Sequence, residues 1–218
     1  MNFALPATLV VATYLIGSLP FSFLVPFFMT GKDIRQHGSR NVGATNVART
    51  FGKLPGIIAL LLDIAKGWGA VWLGQWLVSL PGWPLIAHNP AAPFYDSRDL
   101  WISLGALIAM LGHMFPVWLR FHGGKGVATA AGAFLALDPK VVLAGMIIFA
   151  IVILITRIVS LASILSAASI PLFFQFLAGA SFWRVVISIL ISISIIAKHH
   201  SNIRRLVHGE ERRMGERK

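Results

Sequence analysis

The chain has 218 residues, 56% of them apolar and only 12% charged, with a mean hydropathy of +0.76; that charged share is about half of what a soluble domain carries. This excludes an ordinary soluble enzyme and a disordered chain, and points to one polytopic membrane domain over residues 1–218. The net charge of +11, from 19 Lys and Arg against 8 Asp and Glu, suits anionic lipid or phosphorylated substrates, and so apolar a chain leaves nucleic acid the least fitting partner.

Windows of membrane-crossing length predict helices over 4–29, 54–80, 100–119, 126–137, 140–156, 160–180 and 183–197. The fourth has twelve residues and, read alone, is short enough for a re-entrant segment or a tilted half-helix. Charge decides the count. With the N-terminus outside and seven crossings, 15 of the 19 Lys and Arg fall in the inner segments 30–53, 120–125, 157–159 and 198–218. Only Arg98, Lys140 and Arg184 then lie outside, with Lys66 inside a span. This obeys the positive-inside rule, whereas dropping the fourth span puts the basic tail on the disfavoured side. The expected fold is an all-α integral membrane protein, a seven-transmembrane-helix bundle with its N-terminus outside and its C-terminus cytoplasmic. No internal repeat divides it. In the outer loop from Pro81 to Asp99, Trp83, Phe94 and Tyr95, with Trp101 beyond it, suit an interfacial aromatic belt.

The first inner loop runs His37-Gly38-Ser39-Arg40-Asn41-Val42-Gly43-Ala44-Thr45-Asn46-Val47-Ala48-Arg49. Small, hydroxyl and amide residues between bases expose backbone N–H groups, and Arg49 offers a planar fork for phosphate or carboxylate. A capped turn on a polybasic lipid-facing surface would need only the charges. Within span two, Asp63 and Lys66 are three residues apart, a spacing for a self-neutralising pair with a structural or orienting role. Span three ends Gly112-His113-Met114-Phe115-Pro116, and Phe121-His122-Gly123-Gly124-Lys125-Gly126-Val127-Ala128-Thr129 opens the next helix. Glycines and a lysine at a helix N-terminus form an anion-site arrangement with free N–H groups and a positive dipole end. It is not a Walker A loop, because Leu119 stands where the first Gly belongs and Gly126 where Ser or Thr would bind magnesium.

The third inner loop places Ser160 and Ser163 on one helix face, where capping serves as well as function. After the last span, His199 and Asn202 face the same way in His199-His200-Ser201-Asn202-Ile203-Arg204-Arg205-Leu206-Val207-His208-Gly209-Glu210-Glu211, and a basic surface helix is the bland alternative. The chain has no Cys, His88, His122 and His208 are scattered, and there is no HExxH or acidic cluster. No metal or other cofactor is therefore expected.

The blocks Gly38 to Arg49, Gly112 to Thr129 and His199 to Glu211, in this order, resemble the bacterial acyl-phosphate:glycerol-3-phosphate acyltransferases. The likeness runs end to end and includes Leu62-Asp63-Ile64-Ala65-Lys66-Gly67 and Arg157 to Ser163. It implies an inner-membrane enzyme with a cytoplasmic active site, which moves an acyl group from acyl phosphate to the 1-hydroxyl of sn-glycerol 3-phosphate and yields lysophosphatidic acid and phosphate. None of the seven His residues has Asp five positions on, so the His-x4-Asp motif of CoA-dependent acyltransferases is missing. Carried over residue by residue, the resemblance implies catalytic roles for Ser39, Arg49, Lys125, Ser163, His199 and Asn202. Substrate binding falls to Asn41, Gly43, Ala44, Thr45, Asn46, Gly123, Gly124, Gly126, Thr129 and Ser160, and a structural or orienting role to Glu211. Arg40 stands where the family usually has Gly, and Ile158 where it has an aromatic. The implied partners are glycerol 3-phosphate, acyl phosphate and membrane lipids; contact with the enzyme that supplies acyl phosphate stays open.

Acyl phosphate is an activated mixed anhydride, so the protein mainly has to hold two anions together and stabilise the oxyanion of attack. Either His199 or a substrate phosphate is the base, since His199 alone among the pocket candidates has an ordinary pKa near neutrality. The competing class is a phosphate or organophosphate transporter, which favours midplane sites in broken helices and paired repeats.

Overall fold

The computed structural model describes residues 4–83 and 97–216, and these are helical, with no strand among them. His88, Phe94 and Tyr95 lie outside the described residues. By its internal contacts the chain divides into two compact units, Met1–Leu137 and Asp138–Lys218.

The first unit holds α1 (Ala4–Ser18), α2 (Phe21–Thr30), α3 (Ala44–Phe51), α4 (Lys53–Ser79), α5 (Ser97–Met114) and α6 (Val127–Leu137). Pro20 disfavours helical backbone at Leu19 and cannot donate a backbone N–H, so α1 and α2 are separate helices within one apolar run. Small residues set the packing. A Cβ on Gly17 would run into the carbonyl of Ala109, and one on Gly112 into that of Tyr14, so α1 and α5 meet backbone to backbone. Gly67 lies against the Thr129 carbonyl and Gly132 against that of Ile64, which joins α4 to α6 in the same way. Such seams suit a lipid setting, where close van der Waals contact replaces the hydrophobic drive between helices. Trp83, placed in the aromatic belt by its sequence position, is instead buried with Leu9, Leu77 and Val78, edge-on to Trp101 at 5.8 Å.

The second unit holds α7 (Pro139–Thr156), α8 (Val159–Phe176), α9 (Phe182–Lys198) and α10 (His200–Val207). Asp138 caps α7 by accepting the Lys140 N–H at 2.8 Å, and Pro139 follows at the first helical position. Serine hydroxyls bind the packed helices together: Ser166 donates to the Gly145 carbonyl at 2.8 Å and Ser192 to that of Ala167 at 2.7 Å.

Among the described residues five helical segments are long and apolar enough to cross a membrane: Ala4–Thr30, Lys53–Ser79, Arg98–Leu119, Pro139–Thr156 and Val159–Phe176. A sixth is α9 taken with α10, bent by 60° at their junction. The fourth expected span, α6, has 11 residues, about 16 Å of helix against a hydrocarbon core of about 30 Å. The Asp-Pro pair that starts α7 also stops α6.

Candidate active site

In the first unit the two cationic loops meet. Leu119, from the turn after α5, shares an apolar cluster with Ile34, Val42 and Val47. A Cβ on Gly124 would come 2.5 Å from the Val42 carbonyl. The chain from His37 to Asn46 is organised by one buried side chain. Asn46 accepts the Ser39 N–H at 2.9 Å and donates to the carbonyls of His37 and Asn41 at 3.1 and 3.0 Å. These bonds leave Asn46 no spare donor, so it shapes the loop while Ser39, Thr45 and Arg49 are exposed and Asn41 is half-buried. Gly43 precedes α3 in extended backbone, and Ala44 opens the helix. Gly38 takes φ +59°, where a Cβ would strike Asn46 Oδ1. Arg40 adopts φ +59° as well, so the position where the family usually carries Gly does require left-handed backbone, and Arg40 occupies it at a cost of about 1–2 kcal/mol.

The glycine turn differs from the free-donor anion loop read from the sequence. Gly123 donates its N–H to the Met114 carbonyl and Gly124 to that of His113, both at 3.2 Å. Side chains at either position would collide with His113, at its carbonyl for Gly123 and at Nε2 for Gly124. These two glycines seat the turn on the end of α5, and the donors left for an anion belong to the first turn of α6, from Val127 onward. Gly126 sits at φ +84° against Met110 and Met114, and Lys125 beside it is half-buried. Thr129 turns inward: it is fully buried, its carbonyl lies against Gly67, and its Oγ1 has no hydrogen-bond partner.

Beneath this turn lies a buried charged cluster. Lys66 Nζ is 2.7 Å from Asp63 Oδ1, both side chains being 1% exposed, in an ion pair rather than a well-directed hydrogen bond. Lys66 also donates to the Leu19 carbonyl at 2.7 Å, in the break between α1 and α2, and lies 3.0 Å from His113 Nδ1. Ser22 donates to Asp63 Oδ2 at 2.6 Å. The i, i+3 pair expected from the spacing is present, and it is joined by His113, which no spacing rule ties to it. A histidine ending an apolar span just before a glycine turn was the available signal.

The second unit gathers its own set. Glu211 accepts from Ser160 at 2.8 Å, from Asn202 at 2.6 Å and from Arg205 Nε at 2.6 Å. The tail also donates from the Met214 N–H to the Arg157 carbonyl at 2.7 Å, and so straps the α7–α8 turn to α10. Burial pushes the Glu211 carboxyl up, but the hydrogen bonds from Asn202, Arg205 and Ser160 outweigh it, leaving the group below its ordinary value of 4.5. Ser163 donates to the Val159 carbonyl at 2.9 Å. His199, buried at the bend between α9 and α10, has Nδ1 2.8 Å from the Ile195 carbonyl. A carbonyl only accepts, so the ring proton is assigned to Nδ1 and the lone pair of the neutral ring to Nε2.

Comparison with known proteins decides the family. Residues 7–209 match the family model described as glycerol-3-phosphate acyltransferase. The chain belongs to this family. A glycerol-3-phosphate acyltransferase of Desulforamulus reducens is 41% identical over 210 residues, 96% of each chain. One of Acaryochloris marina is 42% identical over 214, covering 96% of this chain and 92% of its own. The fold is similar to that of PlsY (YgiH), an integral membrane glycerol 3-phosphate acyltransferase solved by crystallography in its glycerol 3-phosphate form. The TM-score is 0.82 at 36% identity, with 96% of both chains covered. The lysophosphatidic acid form gives 0.79 at 34%. A membership that spans residues 7–209 makes this an acyltransferase of membrane helices, and the three family blocks fall on the two loops of the first unit and the strapped turn of the second.

Proposed function

We propose that the protein transfers a fatty acyl group from acyl phosphate to the 1-hydroxyl of sn-glycerol 3-phosphate, giving lysophosphatidic acid and inorganic phosphate. The observation that carries this reading is the meeting of two cationic loops, one with Arg49 and one with Lys125, over an apolar helical unit. Two anionic substrates, one of them with an acyl chain, call for that combination. The solved relatives carry glycerol 3-phosphate in one structure and lysophosphatidic acid in the other, an acceptor and a product that fit this transfer.

In the reaction the 1-hydroxyl oxygen attacks the acyl carbonyl, the bond from carbonyl carbon to phosphate oxygen breaks, and phosphate leaves with the electron pair. Lys125, Arg49 and the N–H groups opening α6 offset the repulsion between the substrates and the charge of the tetrahedral state. Ser39, Thr45 and Asn41 donate to substrate oxygens. His199 orients the acceptor through Nε2, Asn202 and Ser163 assist it, and a substrate phosphate takes the hydroxyl proton. The enzyme is a multi-pass protein of the bacterial inner membrane with N-terminus outside and C-terminus cytoplasmic; the basic inner loops then place the chemistry on the cytoplasmic side.

The test is to incubate detergent-purified protein with palmitoyl phosphate and glycerol 3-phosphate, without CoA or metal, and to follow phosphate and lysophosphatidic acid together. Acceptor-dependent release of both, lost in Lys125→Ala, is the expected result. Product from acyl-CoA alone would assign a different donor, and product from neither would favour transport. A His199→Ala variant that binds acceptor normally yet has lost nearly all turnover would overturn the orienting role and make His199 the base.

A further inference from the structure

The buried cluster under the glycine turn has more connections than a staple needs. To stabilise α4, Asp63 and Lys66 need only each other. Instead Lys66 reaches the Leu19 carbonyl and His113 Nδ1, and Asp63 Oδ1 lies 3.5 Å from that same ring nitrogen. An ammonium has donors only, so Nδ1 is assigned as the acceptor and the imidazole proton falls on Nε2. That Nε2 edge is the one against Gly124, so close that any Cβ there would collide with it. The His113 carbonyl receives the Gly124 N–H at 3.2 Å. One residue therefore touches the turn twice, by ring and by backbone, and its ring orientation is set from α4.

We infer that Asp63, Lys66 and His113 form a positioning relay that holds the Gly-Gly-Lys-Gly turn, and with it Lys125, in the geometry that receives substrate phosphate. The inference rests on the reading of Lys125 as a phosphate-binding residue. None of the three touches substrate; they act through the turn. Lys66 fixes which ring nitrogen carries the proton and which way the ring faces, the ring and carbonyl of His113 fix Gly124, and Lys125 follows by one residue. Asp63 neutralises Lys66, and Ser22 on α2 holds the second carboxylate oxygen.

Steady-state kinetics of the full-length protein, with each substrate varied at saturating levels of the other, test this in four variants. His113→Asn keeps an acceptor for Lys66 but withdraws the group facing Gly124. His113→Gln places an amide donor where Nε2–H stands. Asp63→Asn/Lys66→Met removes both charges together, so no buried ion is left alone, and Lys125→Ala reports on the phosphate reading itself. We expect His113→Asn and the double variant to raise the KM of one phosphate-bearing substrate about tenfold while kcat changes much less. His113→Gln should recover most of that loss. Unchanged KM in His113→Asn and the double variant, beside lost turnover or a raised KM in Lys125→Ala, overturns the relay and leaves the phosphate reading standing. So does a fall in kcat at constant KM, the mark of fewer folded molecules. Wild-type kinetics in Lys125→Ala overturns the phosphate reading and the relay with it.

Discussion

Two carboxylates, Asp63 and Glu211, solve the same problem of burial in different ways. Asp63 sits within a 27-residue apolar helix and has its charge balanced by a cation of its own helix, Lys66, with Ser22 of α2 donating to its second oxygen. Glu211 lies in a tail beyond the last helix and is held by a hydroxyl, an amide and a guanidinium from two elements. The first arrangement depends on charge balance and fails as a unit. The second is shared among three donors and can lose one.

The sharpest way to break the comparison is to unbalance the first cluster. Lys66→Met alone leaves a buried carboxylate without its partner, at a cost of about 3–5 kcal/mol, so thermal unfolding in detergent should show a severely destabilised protein. Asp63→Asn/Lys66→Met should return most of that stability. Equal damage from the single and double changes would show that charge balance is not what the pair provides.

Glu211→Gln keeps the shape and loses the charge facing Arg205, a loss of about 1–3 kcal/mol. Its pH dependence has a fixed sign. The folded value lies below the ordinary 4.5, so the carboxylate's contribution is complete above pH 4.5 and disappears as pH falls through the lowered folded value. The stability gap between the wild-type protein and Glu211→Gln should therefore close on acidification below 4.5; a constant gap refutes the ionic contribution. Asn46→Ala should cost about 1–3 kcal/mol by leaving three backbone groups of the first loop without their partner, with hydrogen exchange rising at Ser39. The smallest effect belongs to Arg40. Gly there relieves left-handed strain but adds chain entropy in the unfolded state, each about 1 kcal/mol, so Arg40→Gly should leave the Tm nearly unchanged while Arg40→Val lowers it.

How much of the site was legible depended on the kind of interaction. The Asp63–Lys66 pair was readable because i and i+3 are neighbours on any helix. Glu211 stood out beside Glu210 only through the family likeness, and its partners Ser160 and Asn202 come from separate segments. Glycine and lysine before a helix imply a row of free donors locally. Gly123 and Gly124 have their N–H groups taken by the end of α5, a return contact across Pro116 and the following turn that no local pattern encodes. Thr129 has the same explanation: its helical position was evident, but only the packing of α6 on Gly67 turned it inward.

By itself the sequence determined the helical, lipid-compatible class, the approximate spans, the asymmetry of charge and the family, since these depend on composition and on order along one chain. The tertiary structure alone decided that Asn46 serves its own loop, that His113 joins the buried pair, and that Gly123 and Gly124 give their N–H groups to the end of α5. Hydropathy and spacing are properties of one segment; a hydrogen-bond partner or a collision at a missing Cβ depends on which distant backbone is brought within about 3 Å.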